Sequence, residues 1–312
     1  MKISGSRTPL TLAQKKQILW LTVIAVGLFV VLRWVPGAVA PERPGQFLAA
    51  AGATDERVEL CDVSNIGFSL VNDRVSPVRL NAEALSPPEP GREVEVLLSV
   101  ETRGGKPVTF EDILETHEEK IHLLIVDPSL EDYHHVHPQP ADVDGEYRFS
   151  FTPGAGGDYR IFADFVSART GRPVYSVTSL EVPGELREPV NEERKRVEAG
   201  DYRFELLATG EGYRPGRPQE LRLRVRHREE GREVLLEPIM GEYAHLVGFD
   251  PARSGFTHMH PLRAGTDYAL DREAPEIGFM LQVREAGFYK VWAQFKVDGE
   301  EVFVPFGVRV GA

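Results

Sequence analysis

Apolar and polar positions alternate along much of this chain, and the alternation occurs twice. PGREVEVLLSV (90–100) places Val96, Leu98 and Val100 on one side of an extended segment. PGRPQELRLRV (215–225) does the same with Leu221, Leu223 and Val225. A period of two marks a strand with one buried face. GDYRIFADF (157–165) repeats as GFYKVWAQF (287–295), with Gly157, Tyr159, Ala163 and Phe165 recurring as Gly287, Tyr289, Ala293 and Phe295. PVYSVTSLEV (173–182) and EVFVPFGVRV (301–310) then close each copy. Each copy offers about seven short strands in roughly 100 residues, the count of an immunoglobulin-like sandwich. The Gly-x-Tyr opening of the penultimate strand resembles a tyrosine corner, whose phenol bonds back to a nearby carbonyl.

The pattern breaks at the amino terminus. Ile18–Leu32 carries no charge, and extending it to Val35 gives eighteen residues with Arg33 snorkelling and Trp20 and Trp34 near the interfaces. Lys15 and Lys16 precede it, which predicts a cytoplasmic amino terminus and an external body. A cleaved signal peptide is the rival, since Ala38-Val39-Ala40 reads as a small-x-small site. Pro41 directly after that site and Arg33 within the stretch favour an uncleaved anchor. The expected organisation is tail and signal-anchor helix (1–35), tether and unassigned strands (36–75), first sandwich (76–183), linker (184–199) and second sandwich (200–312). The linker, PGELREPVNEERKRVEAG with its flanks, invites a helical turn near Glu192–Val197.

Composition narrows the function. The formal charge is −12. Five basic and no acidic residues lie in 1–35, which leaves 31 basic against 48 acidic side chains, a formal −17, for the rest. That balance argues against a nucleic-acid partner. Cys61 is the single cysteine, so no intrachain disulfide and no CxxC motif exists.

Chemistry concentrates in HLLIVDPSLEDYHHVHP (122–138), which recurs as HLVGFDPARSGFTHMHP (245–261). The two match without a gap at seven of seventeen positions, where chance gives about one, so they are read as an internal duplication. His122, His135 and His137 repeat as His245, His258 and His260. Asp127-Pro128 and Asp250-Pro251 start turns, so the segments around them fold into hairpins that bring His122 beside 135–137. His135 and His137, two apart, leave the same face; His134 leaves the other, and its counterpart is Thr257. Five residues before each first histidine stand His117 and Met240. The two expected donor sets are therefore His117, His122, His135 and His137, and Met240, His245, His258 and His260. Imidazole and thioether without thiolate suit copper best, and nickel or zinc less well. The methionine softens its site toward Cu(I).

Plainer readings stand beside this one. The histidines could form a hydrogen-bonded cluster bracing the loops, or a pH-sensitive patch. Catalysis has little to support it, because GxSxG, HExxH, a phosphate loop and a dinucleotide fingerprint are all absent from the sequence. No enzyme activity is expected.

The run HEEKIHLLIVDPSLEDYHHVHP followed by DGEYRFSFTPGAGGDYRIFADF resembles a family of bacterial secreted or membrane-anchored Ig-like proteins. That family shows a His-Leu strand, a His-x-His-Pro return and a Gly-x-Tyr strand ending in Phe-Ala-Asp-Phe. The resemblance covers 90–182 and 215–310, and the second copy departs from it at Met240 for His117 and Gln294 for Asp164. It implies a β-sandwich outside the cytoplasm associated with copper or heavy-metal handling. The resulting expectation is an all-β tandem of two immunoglobulin-like sandwiches behind one transmembrane helix, anchored in the cell membrane with a periplasmic or extracellular body. It would bind a metal ion, and another envelope protein is a further candidate partner. The alternative is a non-catalytic scaffolding module of an envelope complex, with structural histidines.

Overall fold

A computed structural model describes residues 15–23, 67–72, 75–208 and 212–311. The chain divides into two units, Met1–Val58 and Glu59–Ala312. In the first, residues 15–23 form a helix. Among the described residues no helix is long and apolar enough to cross a membrane. Most of the expected anchor Ile18–Val35, the Ala38-Val39-Ala40 site and Cys61 lie outside the described residues.

The second unit is all-β, and its strands pair antiparallel in four sheets. In the first repeat one sheet runs in the order Arg172–Val182, Gly157–Ser167, Ile121–Val126, Tyr133–Val136, with Ile113–Leu114 also on Gly157–Ser167. The facing sheet runs Val78–Ala84, Val94–Thr102, Glu146–Phe151, Gln139–Pro140. The alternation seen in the sequence fills the space between them: Val96, Leu98 and Val100 meet Ile121, Leu123, Ile125, Tyr159 and Ile161 in one core. The second repeat copies this plan. His245–Phe249 lies between Gly255–Met259 and Gly287–Val297, Glu300–Val310 flanks Gly287–Val297, and the opposing sheet is Arg196–Ala199, Tyr202–Ala208, Gln219–His227, Glu276–Leu281. Its core joins Leu221, Leu223 and Val225 to Leu246, Tyr289, Val291 and Ala293.

A third apolar cluster lies between the two sandwiches. Leu124, Val126 and Phe162 of the first repeat pack with Val247, Phe249 and Trp292 of the second. Ile121–Val126 and His245–Phe249 are therefore buried along their whole length: one face of each supplies its own core, the other the contact between repeats. Ring centroids of Phe162 and Phe249 are 5.9 Å apart, and those of Tyr133 and Trp292 are 5.7 Å apart. The Trp292 indole N–H donates to the Leu130 carbonyl at 3.2 Å. At the edge Lys290, 3% exposed, pairs with Glu131.

Residues 67–72, whose role the sequence leaves open, belong to the second sandwich although they precede the first. Ser69–Leu70 adds an edge strand to Gly255–Met259, and Phe68 enters the second core. The close approach requires Gly255, where a Cβ would lie 1.8 Å from the Ser69 carbonyl oxygen.

Two details correct the linker 184–199. Its end is the strand Arg196–Ala199, paired with Tyr202–Ala208. No helical turn forms near Glu192–Val197, because Arg194 exchanges backbone hydrogen bonds of 2.9 Å with Gly307 and is held extended.

Candidate metal centre

The hairpins form as the turn residues dictate. The Asp127 carboxylate is fully buried and accepts from the Glu131 and Asp132 amides at 3.1 Å and from the Ser129 hydroxyl at 2.5 Å. Asp250 accepts from the Ser254 amide at 2.7 Å and its hydroxyl at 2.8 Å. Both carboxylates cap their turns. The register puts Leu123 opposite Val136 and Leu246 opposite Met259, which returns the His-x-His segments beside His122 and His245.

Two histidine triads result, His122 with His135 and His137, and His245 with His258 and His260. In each, one ring nitrogen from every member lies within 4.8 Å of the others. His134 is outside the site, as its strand parity requires; its ring faces Asp132 at 3.1 Å.

Proton positions in the first triad follow from its neighbours. His122 Nε2 is 3.1 Å from the Thr116 carbonyl, which only accepts, so Nε2 carries the hydrogen. In a neutral imidazole Nδ1 then presents a lone pair. His135 Nδ1 lies 2.8 Å from Gln294 Oε1. The Gln294 amide nitrogen donates to Glu301 Oε2 at 3.1 Å, which fixes the amide's orientation, so His135 also donates from Nδ1. Its Nε2 lone pair faces His122 Nδ1 across 3.1 Å, and His137 Nε2 lies 3.2 Å from the same Nδ1. Two lone pairs held this close repel unless a cation sits between them. Ligands at about 2.0–2.1 Å in tetrahedral array stand about 3.3 Å apart, close to the spacing observed.

The second triad repeats the arrangement. His245 Nε2 donates to the Ile239 carbonyl at 3.1 Å, and His258 Nδ1 lies 3.2 Å from Asp164 Oδ2. What remains is His245 Nδ1, His258 Nε2 and His260 Nε2, all buried and without a hydrogen-bond partner. Orphaned buried nitrogens are costly, and three in one triad suit coordination of an ion.

Burial also sets the charge state. It pushes the pKa of His137 and His117 down to about 4, with the nearby His258 adding to the effect. His122, His135, His245 and His260 are driven well below the usual imidazole value, again chiefly by burial. These six rings are neutral at neutral pH, the state in which imidazole is a ligand.

The spacing of the histidines leaves open whether the two triads face each other or stand alone, and the structure places them against each other. His135 and His258 rings are 5.5 Å apart, and His122 and His258 are 5.6 Å apart. The partners that orient the rings cross between repeats: Gln294 of the second holds His135, and Asp164 of the first holds His258. These two occupy the same position of the repeated strand, and their orienting role had not been read from the sequence. His117 is also displaced from its expected set. Its ring stacks on His260 at 3.9 Å and lies 5.8 Å from His245, against 6.4 Å from His122. Both His117 and Met240 have positive φ, 52° and 51°, conformations that bulky side chains adopt only under constraint.

The fold and site thus define an all-β protein of two repeated sandwiches with two buried histidine triads able to hold a metal ion. The chain belongs to the family described as Domain of unknown function (DUF8832), whose model matches residues 73–180 and again 195–312. No match is found among curated proteins. Among solved structures, the chain is similar to a DUF4785 family protein from Legionella pneumophila, at 8% identity and a TM-score of 0.25, covering 76% of this chain and 59% of that one. It therefore spans a little over half of that protein's length. Fibronectin(III)-like modules of Clostridium thermocellum CbhA align at 13% identity and a TM-score of 0.20, over 74% of this chain and 94% of theirs. Trypsin-activated alpha-2-macroglobulin from Escherichia coli aligns at 14% and 0.23, over 78% of this chain and 16% of that one. At these scores the architecture rests on the sheets and cores described above.

Proposed function

We propose that this chain is a membrane-tethered, extracytoplasmic protein that binds copper-like transition-metal ions and buffers, senses or hands them over. One observation carries the reading: His122 Nδ1 and His135 Nε2 face each other at 3.1 Å with their protons committed elsewhere. A proton between them would bury an imidazolium, which the surroundings disfavour. A metal ion resolves the contact. Imidazole-only triads favour copper over nickel and zinc. The rings' outer nitrogens are held by carbonyl, amide and carboxylate, the usual means of orienting metal-bound histidine.

The sandwiches are read as immunoglobulin-like. In support, the Tyr289 hydroxyl donates to the carbonyl of Glu285 at 3.1 Å, four residues upstream, as in a tyrosine corner; at the matching position the Tyr159 hydroxyl donates to Asp132 Oδ2 at 2.6 Å and accepts from the Ala155 amide at 3.1 Å. The apolar run Ile18–Val35 and its basic flank support the tether. The protein is read as non-catalytic.

The scaffolding alternative has its own supporting observation: the triads lie where the two sandwiches meet, so the rings contribute to docking. Metal binding separates the readings. The full chain, purified in detergent and stripped of metal, is expected to take up Cu(II), and Ni(II) or Zn(II) more weakly, to at most two ions. Its melting temperature should rise with bound metal, by the equivalent of about 2.7 kcal/mol for each ion bound at a free concentration a hundred times Kd. No uptake and an unmoved melting temperature would leave the scaffolding reading standing.

A further inference from the structure

The groups that orient the two triads differ in charge at positions 164 and 294. Asp164 pairs across its sheet with His122, and Gln294 with His245, so the two fill one position of the repeated fold. Each side chain nevertheless serves the other repeat. Asp164 Oδ2 lies 3.2 Å from His258 Nδ1, and Gln294 Oε1 lies 2.8 Å from His135 Nδ1. Both acceptors are shielded from water, the Asp164 side chain at 17% exposed and Gln294 at 3%. In both rings Nδ1 donates outward and Nε2 is turned toward the triad. His258 is therefore backed by a carboxylate and His135 by a neutral amide. Glu301 stands behind Gln294, one amide further out and exposed, where water weakens its field. Glu119 Oε1 is 3.9 Å from His137 Nδ1, beyond hydrogen-bond reach. Glu242 occupies the matching position of the second copy, so a carboxylate there is common to both.

The two supports are chemically unequal. A carboxylate that accepts from a ligand's outer N–H raises the ligand's basicity. It also offsets part of the charge that a divalent ion brings into a buried site. An amide oxygen orients the ring and offsets none of that charge. The triads also act on each other. With each ion about 2 Å from a ring nitrogen and the His122 and His258 rings 5.6 Å apart, two bound ions would lie within about 12 Å of one another. Like charges at that range repel in a buried setting.

We infer that Asp164 makes the triad of His245, His258 and His260 the tight divalent site, filled first, and that Gln294 leaves the triad of His122, His135 and His137 as the weaker one, filled second. Asp164 and Gln294 are positioning residues: they touch no ion and set the order of filling through His258 and His135. A singly charged ion, Cu(I), gains half as much from the carboxylate as Zn(II) does, so it discriminates less between the triads.

This inference rests on the metal-binding reading, and its test keeps the two apart. The full chain, stripped of metal, is titrated with Zn(II) and separately with Cu(I) under reductant. His245→Ala with His260→Ala leaves only the first triad and keeps the His258–Asp164 contact; His122→Ala with His137→Ala leaves only the second and keeps His135–Gln294. The second triad alone should bind Zn(II) more tightly than the first alone, by about tenfold or more. There Asp164→Asn keeps an acceptor for His258 and removes the charge. It should weaken Zn(II) by about tenfold or more and Cu(I) by only about threefold, the square root, as Coulomb energy scales with charge. A merely structural role would shift both ions alike. In the first triad alone, Gln294→Glu should tighten Zn(II) by a similar factor; Glu301→Gln accompanies it so that two carboxylates do not face each other. A melting curve on each variant confirms the fold. A second measurement leaves every histidine in place. Crystals of the parent grown with one equivalent of Zn(II) should show the anomalous peak at the second triad, and those of the chain carrying Asp164→Asn, Gln294→Glu and Glu301→Gln together should show it at the first. Equal filling in the parent, or an order that these substitutions leave unchanged, overturns the inference while metal binding stands. A parent chain that binds neither ion removes the metal reading and the inference with it.

Discussion

Replacing His135 and His258 together by alanine is expected to weaken metal uptake at both triads by about a hundredfold or more. Each substitution removes one of three converging nitrogens and leaves its orienting partner, Gln294 or Asp164, with nothing to accept from. The metal-free variant should lose modest stability, because an unpaired buried acceptor costs about 1–3 kcal/mol. The larger change should appear in the difference between metal-free and metal-loaded melting temperatures, which closes in the variant. Melting curves with and without metal, run beside equilibrium dialysis, read both effects. A variant that melts lower than the parent by the same amount in both conditions would show the imidazoles acting only as structural braces.

The second large effect lies away from the histidines. Trp292→Ala should destabilise the protein by about 3–5 kcal/mol. The side chain is 7% exposed, stacks on Tyr133 of the other repeat and donates its indole N–H to Leu130. Its loss opens a cavity between the sandwiches and orphans a carbonyl. Metal affinity should fall as well, though no ligand is touched, because His135 and His258 are each oriented from the opposite sandwich. Denaturant unfolding and a metal titration of the same variant test the two parts. Unchanged metal affinity in a clearly destabilised variant would show that the triads do not depend on docking.

The sequence carried the strands and the hairpins, because both are local. Val96, Leu98 and Val100 face inward as their spacing requires, and His134, of opposite parity to His135 and His137, points away from them toward Asp132. The contact between the repeats was harder to read. HLLIV and HLVGF do not alternate, and a short uninterrupted apolar strand is one buried on both faces. Phe162 and Trp292 stand on the outward face of strands whose inward residues already fill a core. Those signals were present, and read together they would have placed the two hairpins against each other. That His117 reaches His260 could not be read from spacing, since the turn's positive φ and the docking of the sandwiches decide it together. The pairing of Ser69–Leu70 with Gly255–Phe256 joins segments almost two hundred residues apart and leaves no periodic trace in the chain. In 184–199 a charged composition suggested a helical turn, but the edge of Glu300–Val310 offered Arg194 a backbone partner and held it extended.

The most direct test of a metal centre is diffraction from crystals of the protein grown with Cu(II) or Zn(II), recorded at the metal's absorption edge. The account predicts an anomalous peak about 2 Å from His122 Nδ1, His135 Nε2 and His137 Nε2, and another at the triad of His245, His258 and His260. Crystals showing no peak at either triad, with the rings placed as described here, would contradict it.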